Sequence, residues 1–158
     1  MSQIMVSIGL TSQALKQSAL LMRPWLASTY ALYLNTQSAH WNLVGPSFFS
    51  LHVLLQKHYE EMAEGVDGIA ERIRTLGTPV EASFSAFDKH SLVSSLKPHA
   101  SWKAMLETLI EGHEAIACLC RKLIPKAQSL HDEATADLAI KRIAFHEKAA
   151  WLLRSHLQ

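Results

Sequence analysis

The chain has 158 residues, with fifteen Lys and Arg against fourteen Asp and Glu, so its formal net charge of +1 sets up no strong field toward nucleic acid. Only 18% of residues are charged while 49% are hydrophobic, and the mean hydropathy of +0.07 points to apolar surface that meets further subunits. The first ten residues carry no basic side chain and no 18-residue apolar run occurs, which argues against a signal peptide and a membrane span. Cys118 and Cys120, two apart in a helical pattern, lack the spacing of a metal or redox pair and read as packing residues on different faces. Without a disulfide framework, the expected compartment is the cytoplasm, free or associated with the nucleoid.

In chain order, residues 1–14 are expected to form a short mobile segment ahead of a single domain. The 3.6-residue spacing of Leu15, Ala19, Met22, Leu26, Tyr30 and Leu34 predicts a first helix over Leu15 to Asn42, with Pro24 kinking it or marking its firm start. Gly45-Pro46 predicts a tight reversal. Ser47 is placed to cap a second helix running to Leu76, with Gly77 closing it and Pro79 preventing continuation. Between Thr78 and Pro98, Phe84 and Phe87 predict a short apolar-faced helix that packs on another element. The stripe Trp102, Met105, Leu109, Ile116, Cys120 and Leu123 predicts a third long helix over Ser101 to Ile124, ended by Pro125. A fourth is expected from near Asp132 to about Leu157, with Ile140, Ile143, Ala144 and Trp151 as its core face. The fold class is therefore all-α, a ferritin-like four-helix bundle with an extra short helix in its middle connection.

Asp67 and Glu71 are four apart on the second helix, so both carboxylates leave one face; alone, such a pair is most often a solvated stripe, and Arg74 stands near enough to neutralise it. His40 and His52 change the weighting. They sit six residues either side of Pro46, so an antiparallel hairpin brings two imidazoles together, a ligand set suited to iron or zinc. Fifteen residues of helix separate His52 from Asp67 by roughly 22 Å, too far for one ion. Two antiparallel copies of the second helix, related by a two-fold axis near Glu60, would place the histidines of one subunit opposite the carboxylates of the other.

The segments Ala39-His40-Trp41-Asn42-Leu43-Val44-Gly45, Phe49, Leu51-His52, Val66-Asp67-Gly68-Ile69-Ala70-Glu71-Arg72-Ile73 and Leu76-Gly77 resemble the signature of the Dps family, and His146-Glu147-Lys148, Trp151 and Leu153-Arg154 are similar to that family's last helix. The resemblance implies a mini-ferritin: a hollow homo-oligomer of twelve subunits that stores iron and protects against oxidative stress. It implies a ferroxidase, oxidising Fe(II) with hydrogen peroxide or oxygen at a centre made by His40 and His52 of one subunit and Asp67 and Glu71 of its partner. Trp41 matches the tryptophan beside that centre, and zinc is a competing occupant of the same ligands. Many members carry Asp where this chain has Gln56, which leaves a second iron position short of charge.

Asp132, Glu133 and Asp137 resemble the acidic residues of the family's three-fold iron pore, although acids at a helix N-terminus need no function to explain them. Glu60, Glu61 and Glu64 read either as a mineral-nucleating cluster or as a solvated or ion-paired face. His58, His90, His99, His113, His131, His146 and His156 have no partner at metal-ligand spacing and read as surface or satisfied histidines. No Glu is followed three residues later by His, which argues against a di-iron centre inside one bundle. DNA binding in the family often depends on a Lys-rich mobile tail. Here the first basic residue is Lys16 and only Arg154 and His156 follow Lys148, so DNA binding is expected to be weak or absent.

Overall fold

The computed structural model describes residues 6–97 and 99–158. It contains α1 (Ser12–Asn42), α2 (Phe48–Thr75), the short α3 (Phe84–His90), α4 (Trp102–Ser129) and α5 (Glu133–Ser155), with no strand among the described residues. The four long helices form two hairpins, α1 with α2 and α4 with α5. The connection carrying α3 joins them, so α1 also packs on α4 and α2 on α5. Met22, Leu32, Leu55, Met62, Leu106 and Ile116 meet in the centre with no exposed surface. Burying each such side chain is worth about 1.5–3 kcal/mol.

The first helix begins earlier than its apolar stripe suggests, because the Thr11 hydroxyl accepts from the Ala14 N–H at 3.1 Å and caps it. Residues 6–11, expected to belong to a mobile segment, are instead anchored by Val6 and Leu10 against the core; residues 1–5 lie outside the described residues. Pro24 neither starts nor ends α1. The expected stripe drifts around the helix: Leu15, Ala19, Met22 and Leu26 are buried, Tyr30 is half-buried and Leu34 is exposed.

At the end of α2 the Gly77 N–H reaches the Arg74 carbonyl at 2.9 Å and the Thr78 N–H reaches the Ile73 carbonyl at 3.3 Å. This paired pattern needs the left-handed φ of +83° that Gly77 adopts without steric cost. Ser47 occupies the cap position of α2 but makes no side-chain cap bond. The middle connection is held by polar groups buried on α1. Ser28 accepts from the Leu92 N–H, while Asn35 donates to the Ser94 carbonyl and accepts from the Leu96 N–H. Phe87 of α3 packs on Tyr30 with ring centroids 4.7 Å apart, whereas Phe84 stays exposed.

Two expectations fail in the second half of the chain. Pro125 lies inside α4, which ends at Ser129 through a cap of the same paired type, with the His131 N–H on the Gln128 carbonyl and the Asp132 N–H on the Ala127 carbonyl. His131 takes the left-handed conformation there, at φ 60°, where glycine is usual, so composition hides the stop. On α5 the buried face is Ala136, Ala139, Arg142, His146, Ala149 and Leu153, not the expected Ile140, Ile143, Ala144 and Trp151. Small residues let α5 approach α4 closely, and the larger apolar ones face outward, Ile143 half-buried and Ile140 and Trp151 exposed. Cys120 is buried as a packing residue, but Cys118 is exposed.

Candidate metal centre

Leu43 closes α1 and Ser47 precedes α2, so the short reversal at Gly45-Pro46 forces the ends of both helices together. His40 and His52 meet across it with rings stacked 3.8 Å apart and inclined by 17°. Each Nδ1 lies on the other residue's backbone carbonyl, His40 Nδ1 on the His52 oxygen at 2.9 Å and His52 Nδ1 on the His40 oxygen at 3.1 Å. A carbonyl oxygen can only accept, so each Nδ1 carries the hydrogen and, in the neutral ring, each Nε2 keeps its lone pair. This reciprocal pair orients two imidazoles as a metal site requires. Tyr59 packs edge-on against His40 at 5.2 Å and Phe48 stacks on His52 at 5.1 Å, which narrows the rotamers open to either ring.

Asp67 and Glu71 lie about two turns and one turn from the other end of α2, both exposed, and neither is hydrogen-bonded or ion-paired to any described side chain. Arg72, which follows Glu71 in sequence, turns away to Asp132. Among the described residues no group of three or more His, Cys, Asp or Glu is arranged within the chain to hold a metal ion. The histidine pair, oriented by its hydrogen bonds, and the carboxylate pair, without a partner among the described side chains, are thus separate groups within the chain. Trp41 stands beside His40 at 65% exposure. The Gln56 amide donates to Glu60 at 2.8 Å.

The remaining acidic residues divide by their partners. Asp132 is buried: it caps α5 by accepting from the Thr135 N–H at 3.1 Å and pairs with the Arg72 guanidinium at 2.6 Å. Burial works against its ionisation, but the bonds from Thr135 and Arg72 outweigh burial and hold its carboxyl below the ordinary value. A buried, doubly bonded carboxylate does not line a pore, so the pore expectation fails at Asp132. Glu133 is exposed, and Asp137 pairs with Lys141 at 2.7 Å. Of the Glu60, Glu61 and Glu64 cluster, Glu61 turns inward to the largely buried Arg142, which leaves Glu60 and Glu64 exposed.

Three histidines with no recognisable spacing prove to be neighbours. His58 of α2, His113 of α4 and His146 of α5 are buried together, His113 and His146 joined through their Nδ1 atoms at 2.9 Å. They lie 33 and 55 or more residues apart in the chain, so only the packing of three helices could reveal them.

The ferritin-like domain family matches residues 24–158. An uncharacterized low temperature-induced protein of Nostoc sp. is 35% identical over 97% of this chain and 87% of its own length. A protein named DNA protection during starvation protein 2, from Bacillus anthracis, is 30% identical over 90% of this chain and 97% of its own. The crystal structure of a Dps protein from Vibrio cholerae O1, described as a member of a superfamily of ferritin-like diiron-carboxylate proteins, superposes with a TM-score of 0.91 at 28% identity over 99% of this chain and 100% of that one. DpsC from Streptomyces coelicolor does so with 0.93 at 29% identity over 99% and 92%. Bundle, middle helix and family match agree over the whole length of the fold, and the chain belongs to the Dps family of ferritin-like proteins.

Proposed function

We propose that this protein is an iron-storing ferroxidase whose centre is shared between two subunits: His40 and His52 of one and Asp67 and Glu71 of the other bind Fe(II). The observation that carries this reading is the reciprocal hydrogen bonding of the two imidazoles, which leaves both Nε2 lone pairs for a metal while the matching carboxylates stand unpaired elsewhere on α2. Family membership supports iron as the substrate. Each Fe(II) gives up one electron and one hydrogen peroxide takes two, its oxygens leaving as hydroxide. The protein's part is to fix the geometry and to stabilise the extra positive charge of Fe(III) with Asp67 and Glu71. Trp41 is placed to quench a stray oxidising equivalent.

Gln56 is neutral and engaged with Glu60, so a second iron beside the first lacks one carboxylate and binds more loosely. Zinc competes for the same ligands. The shell is about twelve subunits by family likeness, held in part by the exposed Phe84, Ile140 and Trp151, with Glu60 and Glu64 as acidic sites for mineral and Glu133 and Asp137 near the iron-uptake pore. Native mass measurement after Fe(II) and peroxide addition is expected to give a large assembly that retains iron. A monomer at micromolar concentration removes both the shell and the shared centre.

DNA binding is a separate activity that the charge distribution disfavours. Few counterions are released by dispersed Lys residues, so no stable complex with plasmid DNA is expected at physiological salt near neutral pH. Retardation of plasmid under those conditions would contradict this.

A further inference from the structure

The buried histidine cluster is unused by the iron chemistry and is poorly satisfied. His113 and His146 are fully buried and His58 is 5% exposed. Because the first two share one bond between Nδ1 atoms, one ring donates and the other accepts. One therefore keeps an N–H and the other a lone pair at Nε2, and neither Nε2 has a partner; nor has His58 Nδ1. A metal held through both Nε2 atoms would need hydrogens on both Nδ1 atoms, which their 2.9 Å contact forbids, and no third donor converges among the described residues. What the cluster can accept is protons.

Their route is short. A groove of about 410 Å³ open to solvent runs between α4 and α5 beside the fully buried His113 and His146, rimmed by Glu114, Cys118, Arg121, Glu147 and Arg154. Counter-charge, however, is spent. Glu147 is paired with Arg121 and Glu114 with Arg154 on the rim, while Glu61 of α2 is held by Arg142 of α5. Arg142 lies over the Phe145 ring and against Gly65, where an added Cβ would come within 2.7 Å of its guanidinium carbon, so a cation already occupies this part of the bundle. The Cys120 thiol, pushed up to about 12 by burial, stays neutral. The charged or titratable groups acting on the three rings are one another and Arg142, and no group of α1 is among them.

We propose that His58, His113 and His146 form an acid-operated latch in the subunit bundle: the rings take up protons as the α4/α5 groove opens, the closed bundle holds no counter-ion for them among the described residues, and acid therefore favours the parting of α4 from α5. The direction follows from linkage. Burial lowers His58 to about 4 and, with His58 and Arg142, His113 to about 3, and lowers His146 as well, from 6.5. Above pH 6.5 both folded and opened chains hold these rings neutral, and the cluster adds no pH dependence. Below it the opened chain takes up protons that the closed bundle refuses, so stability falls as pH drops toward 4. At pH 4.5 one such ring costs on the order of a hundredfold in the closing equilibrium.

The test uses the full chain. His113→Leu with His146→Leu removes the pair, and the melting temperature lost between pH 7 and pH 4.5 should shrink by about 10–20 °C relative to wild type. Carboxylates such as Asp132 act alike in both proteins and cancel. Parallel melting-temperature profiles would overturn the latch. Should the double variant fail to fold, exchange of the histidine C2 hydrogens in wild type, read residue by residue by mass spectrometry against the exposed His131, decides the matter. The expected result is no protonation of His58, His113 or His146 down to pH 5 while the bundle stays closed. Midpoints near 6.5 in the closed protein overturn it. Neither readout depends on iron oxidation, so the latch and the ferroxidase reading fail separately.

Discussion

His52→Ala and Asp67→Ala should each lower the rate of Fe(II) oxidation by at least about tenfold, because either change leaves a three-ligand remnant of the proposed centre. Co-assembly of the two inactive variants is the sharper measurement. In an interface that pairs one of each, one site carries both lesions and the other keeps His52 from one chain and Asp67 from its neighbour. Random pairing makes about half of the interfaces mixed, so roughly a quarter of wild-type sites should return. Mixed shells, verified by mass, that stay as inactive as the parents would show that the ligands are not shared. The same pair of variants also guards against a trivial loss of folding, since a misfolded subunit cannot complement. His52 contributes one hydrogen bond to the α1–α2 hairpin, so each variant should retain its helical signal.

Asp132→Ala should be the most damaging single change away from the centre. The carboxylate is fully buried, it caps α5 through the Thr135 N–H, and it is the charge partner of Arg72, whose side chain is 18% exposed. Removing it strands a guanidinium in a sparsely wetted site and opens the first turn of α5. The cost is about 3–5 kcal/mol for a broken buried pair, or roughly 6–20 °C in melting temperature. Asp132→Asn separates the two roles. The amide oxygen still accepts from Thr135, so about 1 kcal/mol of capping returns while the charge partner stays lost. Because the folded carboxyl sits below its ordinary value, its contribution is present at neutral pH and is lost only as pH falls through that lowered value. The deficit of the Ala variant should therefore be constant from about pH 6 to 8 and shrink in acid. A deficit under about 1 kcal/mol at pH 7 would mean that Arg72 finds water instead.

The long helices and their antiparallel hairpin were legible from periodicity, and so was the meeting of His40 with His52, because both depend on contacts near in sequence around one Gly-Pro turn. The shared, exposed face of Asp67 and Glu71 was legible for the same reason: a spacing of four residues puts both on one side of a helix. The roughly 22 Å of helix between His52 and Asp67 already called for two subunits at the proposed centre, and the family resemblance implied the same division, which no single chain displays. Where reading the sequence failed, a long-range contact had overridden a local signal. Pro125 reads as a stop, yet α4 continues to a cap that His131 completes in a left-handed conformation. Ile140 and Trp151 read as core, yet the face packed on α4 is made mostly of small residues, Ala136, Ala139, Ala149 and Ala150, with His146 and Leu153 among them and Arg142 admitted because Glu61 meets its charge. Asp132 reads as a pore acid until Arg72, sixty residues away, is found against it. Helix formation and the hairpin site were thus decided by the order of residues, whereas the buried charges and the three-histidine cluster exist only because tertiary packing excludes water from groups that the sequence keeps apart.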